Sequence, residues 1–281
     1  MTDLNKKERL LFTVCYLTCA AVLTFLRHDV IALIYFAFTF LPVAFADRLI
    51  KSDVIRHKTL TAFFITAVGY QTTFEIFFSV HKDFNQILSA VGIGLFYTCI
   101  LMLTDESKLP WCICAVPVLC GLNIKIAIGY CVLLICIAVM TLRKSARLSA
   151  LGLAAGLSGF IVCAASALTT GGYFLESNDY LLSRFKNPLF LIIITAYLTI
   201  KLFKSKGISL PKLCLCLALT VSTAVFATLT LGWAVFSLMC LILTVFIGIR
   251  CLESTNAINT IKADFTKNKF IFIAVIICAL Q

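Results

Sequence analysis

Three groups of side chains in this sequence could do chemistry. Glu75 is the one acidic residue well inside an apolar run. Gln71, Thr72, Glu75 and Ser79 recur at i, i+1, i+4 and i+8, which puts them on one face of a helix. A carboxylate at that depth is costly unless it is paired or faces water, so the stripe reads as part of a substrate path. The plainer reading is a carboxylate near the headgroups, hydrogen-bonded to a neighbouring helix. Lys125 stands alone between two apolar runs, against the charge bias, where it is either a solvated turn lysine or a residue that a substrate requires. Asp29, in the short connection Arg27-His28-Asp29, is the third candidate, or simply the cap of the helix that follows.

Metal and thiol chemistry find little support. The chain has 14 cysteines and no CxxC, and its nearest approaches are Cys112-Ile-Cys114 and Cys214-Leu-Cys216. Residues two apart on a helix point to different faces, and free cysteine in an apolar run behaves as a small hydrophobe. His28, His57 and His81 form no pair with metal-ligand spacing. Phosphate-loop, dinucleotide and HExxH patterns are absent, so neither a metal nor a cofactor is expected.

The elements that must position these residues follow from composition. Of 281 residues, 61% are apolar and 13% charged, and the mean hydropathy is +1.04. Soluble domains carry about 25% charged residues, so a soluble enzyme is excluded. A spanning helix takes roughly 20 residues. The expected fold is therefore an all-α polytopic membrane bundle of about ten to eleven helices in a single transmembrane domain. Apolar runs between charges place spans at 9–26, 30–46, 59–80, 86–103, 110–122, 126–142, 148–169, 187–203, 213–230 and 234–249. An incomplete run at 270–281 is too short to cross, which predicts that the natural chain continues past Gln281. Asn123 with Lys125 marks a turn that divides 110–142 into a helical hairpin. Ile258, Ile261 and Phe265 recur at helical spacing opposite Lys262 and Lys269, which predicts a short helix lying on the cytoplasmic face.

Charge sets the orientation. With the N-terminus cytoplasmic, Arg27, Lys82, Lys125, Arg184 and Lys186 fall outside and the other 19 of 24 basic residues fall inside, as the positive-inside rule requires. The formal charge of +11 then reflects topology and attraction to anionic lipids at the cytoplasmic loops. A nucleic-acid footprint would cluster its cations on one face, so no nucleic-acid partner is expected. Along helix 148–169 and its ends, Ser145, Ser149, Gly152, Gly156, Gly159, Cys163, Ser166 and Thr170 form a seam of small residues, which predicts that this helix is central and, through Gly152, Gly156 and Gly159, makes the closest helix–helix approach.

Leu119-Cys-Gly-Leu-Asn-Ile-Lys125, followed by an apolar run and Arg143-Lys144, resembles a hairpin of GT-C-type glycosyltransferases over about residues 109–147. Those enzymes use polyprenyl-phosphate sugars. The resemblance implies that Lys125 faces a phosphate and that Asp29 stands where the family carries an acidic catalytic residue. Gly156-Leu-Ser158-Gly159 is similar to the GxSG of rhomboid proteases, but their serine needs a histidine from a later helix and all three histidines precede it. The terminal Cys278-Ala-Leu-Gln281 has the form of a prenylation box, and the topology sends it towards the bilayer.

Short connections and a polar stripe point to a transporter or permease for a small or lipid-linked solute, in an inner or plasma membrane, rather than to an enzyme. The alternatives are a transferase using a polyprenyl-phosphate sugar and a non-catalytic assembly subunit.

Overall fold

The computed structural model describes residues 2–27, 30–51, 53, 55, 57–80, 83–142, 145–169, 186–205 and 209–269. These form twelve α-helices and no strand. In chain order they are α1 (Thr2–Arg27), α2 (Ala32–Ala44), α3 (Ala46–Leu49), α4 (Lys58–Phe78), α5 (Asp83–Met102), α6 (Leu109–Leu122), α7 (Ile124–Thr141), α8 (Ala146–Thr169), α9 (Lys186–Lys204), α10 (Leu210–Leu231), α11 (Trp233–Glu253) and α12 (Thr255–Lys267). Two compact units divide the chain, Met1–Ser166 and Ala167–Gln281. The run 270–281 and the question of its completeness lie outside the described residues.

Among the described residues, five helical stretches are long and apolar enough to cross a membrane: Phe84–Met102, Ile124–Thr141, Ala146–Thr169, Leu210–Leu231 and Trp233–Glu253. Their outward faces are apolar as well. Leu157, Ile161 and Leu168 on α8, and Val221, Val225 and Leu229 on α10, are exposed. Water would not tolerate so continuous an apolar surface, whereas lipid does. Inside such a bundle the hydrophobic effect does little to hold helices together, so close approach and hydroxyl hydrogen bonds carry the association.

Both devices recur. Pro42 lies inside α2 and lacks the N–H that would bond the Phe38 carbonyl. Gly94 of α5 sits against that carbonyl: a Cβ there would come within 2.8 Å of the Phe38 oxygen. Glycine at 94 thus lets α5 close over the backbone group that Pro42 leaves free. On α8, Cβ atoms added to Gly152, Gly156 and Gly159 would meet Ala138 at 3.2 Å, Ile135 at 2.7 Å and Val116 at 2.6 Å, so this glycine face is filled by α7 and α6. At the α2–α5 contact the nearest neighbour is backbone itself.

In the second unit Thr195 of α9 and Thr244 of α11 share a hydroxyl bond of 2.6 Å, and the Cys251 thiol donates to the Leu198 carbonyl at 3.3 Å. Gly232 joins α10 to α11 at φ 81°, a left-handed conformation that favours glycine. Ser254 separates α11 from α12 and caps the latter, its side chain accepting from the Ala257 N–H.

Candidate functional site

At one end of the first unit, α4 finishes, α5 starts and α6 turns into α7. Ser79 closes α4: its N–H donates to the Glu75 carbonyl at 2.9 Å and its hydroxyl to the Ile76 carbonyl at 2.8 Å. The α6–α7 joint is a single extended residue, Asn123 (φ −159°, ψ 113°). Its side-chain oxygen accepts from the Ile126 N–H at 3.1 Å, and its amide donates to the fully buried Ser89 hydroxyl at 2.7 Å. Both ends of this amide are thus fixed, one starting α7 and the other tying it to α5.

Lys125 follows in the first turn of α7, is only 9% exposed, and donates from Nζ to Ser79 Oγ at 3.3 Å. A helix N-terminus already carries positive partial charge, and a lysine there adds to it. The joint thus brings a lysine, two hydroxyls and an oriented amide to one helix N-terminus. Such a place can hold an anionic group. Glu75 lies one helical turn before Ser79 on α4.

The polar stripe on α4 separates by burial. Thr72 is fully buried in helix packing, Gln71 and Ser79 are half-buried and Glu75 is exposed. Ser79 and Lys125 come together, whereas Thr72 faces the interior. Asp29, His28 and His81 lie outside the described residues. Ser158 is exposed and donates to the Ala155 carbonyl at 3.1 Å, an ordinary helix back-bond. Cys112 and Cys216 are buried while Cys114 and Cys214 are exposed, so neither close pair shares a face. Among the described residues no group of three or more His, Cys, Asp or Glu has the arrangement to hold a metal ion.

Two clusters have no counterpart in the sequence reading. Hydroxyls meet in the first unit: Tyr16 bonds Thr39, and separately Tyr35 bonds Thr73 at 2.6 Å and Thr73 bonds Tyr97 at 3.2 Å. Tyr35, Thr73 and Tyr97 are essentially fully buried. The available signal was three tyrosines inside otherwise apolar runs, since a buried phenol needs a partner. Sulfurs from two helices also meet, Cys163 of α8 lying 3.5 Å from Cys120 of α6, with Cys131 of α7 beside Cys120.

The opposite end of the same unit is built differently. Arg9 pairs with Asp47, Lys58 Nζ donates to the Asp47 carbonyl at 3.1 Å, and Lys108 Nζ donates to the carbonyls of Arg48 and Leu49 at 2.6 and 3.1 Å. Here lysines cap the C-terminal carbonyls of α3, the arrangement the helix dipole favours.

Helices of this length and apolar surface define a helical membrane protein. Compared with protein families, curated proteins and solved structures, the chain matches none.

Proposed function

We propose that this chain is a multi-pass transporter or permease of a cell membrane, moving a small or lipid-linked solute that carries an anionic group past Lys125. One observation carries this reading: a lysine 9% exposed, in the first turn of α7 where the helix dipole opposes it. Removing an ammonium from water costs several kcal/mol even after relaxation, and ionisable groups held at such cost in membrane bundles mark substrate paths. Ser79, Asn123 and Ser89 supply hydrogen-bonding groups beside it. With the N-terminus on the cytoplasmic side, this joint opens to the opposite side.

A transferase using a polyprenyl-phosphate sugar is the second reading, favoured by the place of Lys125 at a one-residue helical joint. Uptake by proteoliposomes of phosphorylated, carboxylated and neutral solutes, run beside turnover of a lipid-linked sugar, separates the two. Uptake confined to anionic solutes, and lowered at least about tenfold by Lys125→Gln, supports transport. Turnover of the lipid-linked sugar without uptake supports the transferase. Uptake indifferent to Lys125, or neither activity, overturns the proposal.

A further inference from the structure

We propose that α12 is a docking surface for the anionic headgroups of the bilayer, rolled into that orientation by Asp264. Ala257 and Asp264 are seven residues apart and share one edge of the helix. Ala257 is fully buried, and Asp264 pairs with Lys201 and accepts from the Tyr197 hydroxyl at 2.9 Å, both on α9. That edge is therefore fixed against protein. Ile258, Ile261 and Phe265 follow at i, i+3 and i+7, about a quarter turn round the helix from it. The protein leaves this apolar stripe partly uncovered: the isoleucines are half-buried and Phe265 is 47% exposed.

The charges around the stripe select its partner. Residues 250–269 hold two acids, Glu253 and Asp264. Glu253 pairs with Arg250 at 2.6 Å and Asp264 with Lys201, so both are committed within the protein. Lys262, Lys267 and Lys269 are exposed on this segment. At 3.6 residues per turn Lys262 falls beside this stripe rather than opposite it, Lys267 lies on the far side and Lys269 follows the helix end. An apolar stripe edged by Lys262, on a basic helix that leaves the end of a spanning helix after one residue, fits the plane of headgroups: Phe265 at the acyl boundary and ammonium groups towards the phosphates. The lysine-bearing, membrane-facing side is set by an acid that is itself turned inward.

Backbone amide exchange of the full-length protein in nanodiscs tests this, with pure phosphatidylcholine compared against phosphatidylcholine mixed with phosphatidylglycerol. Exchange over residues 255–267 is expected to slow at least about fivefold in the anionic discs. The triple variant Lys262→Gln, Lys267→Gln, Lys269→Gln should abolish that difference while α9 and α11 exchange as before. Asp264→Asn should speed exchange in both lipids by releasing the buried edge, and raised salt should erase the lipid dependence. Equal exchange of the wild type in both discs overturns the proposal, as does a triple variant that keeps the difference. Slowing by inorganic phosphate in phosphatidylcholine discs would also overturn it, because the surface would then recognise a soluble anion.

Discussion

The two ends of the first unit both rely on lysine, yet they place it in opposite electrostatic settings. Lys108 reaches the C-terminal carbonyls of α3, and Lys58 donates to the backbone of Asp47 on the same short helix. These lysines sit where partial negative charge collects and can remain hydrated. Lys125 occupies the first turn of a helix, where partial positive charge collects, and only 9% of it is exposed. The first arrangement explains itself as helix termination and topology. The second opposes its local field and leaves water, and the proposed anion contact rests on that difference.

The sharpest way to break this contrast is paired replacement. Lys125→Gln should lower anionic solute uptake at least about tenfold, whereas Lys108→Gln should leave uptake within about twofold. Equal losses in a proteoliposome assay would erase the distinction between the ends. Next in size, Asn123→Ala removes the α7 cap and leaves the buried Ser89 hydroxyl without its amide donor. We expect a loss of about 2–3 kcal/mol in thermal or denaturant unfolding. Lys108→Ala should cost only about 1 kcal/mol in the same measurement, because its carbonyl contacts are partly hydrated.

The smallest effect concerns pH at the lysine-rich end. Ser107 donates to the Asp105 carboxylate from its hydroxyl at 2.8 Å and from its backbone N–H at 3.1 Å, with Lys108 and Lys51 nearby. The hydroxyl bond first, then the backbone bond and these cations, hold the carboxyl below the ordinary aspartate value of 3.8. A lowered value in the folded state means that the turn is supported above the unfolded value and loses that support as pH falls through the lowered one. The Ser107 amide resonance should therefore shift with a midpoint below 3.8, and Asp105→Asn should remove the transition. A midpoint at or above 3.8 would show that the turn does not favour the charged form.

The all-α architecture was legible because charges interrupt apolar runs at intervals that suit helices. The helical break at Asn123 was legible for a related reason, a polar amide between two runs too long to be one span. Burial was not legible. Nearly every position of α7 is buried, Lys125 included, and a helix apolar on all sides gives no periodicity from which to read its inner face. Glu75 stood out as an acid in an apolar run, but the structure exposes it and hides the lysine instead. Thr72 and Glu75 share a helix face by spacing, yet Thr72 is buried and Glu75 exposed. The meeting of Tyr35, Thr73 and Tyr97, and that of Cys120 with Cys163, depend on which helices are adjacent, and no local pattern encodes that.

The contact between Pro42 and Gly94 has a consequence for how such a chain can change over time. The proline leaves the Phe38 carbonyl without its intrahelical donor, and the glycine admits α5 to that carbonyl. A side chain at 94 would collide with the backbone oxygen whatever its chemistry. Restoring an N–H at 42 would give the same carbonyl a donor within its own helix. The two positions, 52 residues apart in sequence, therefore form one inherited character. Descendants of this sequence should keep both or exchange both, and a lineage carrying only one should show a compensating change along the α2–α5 seam.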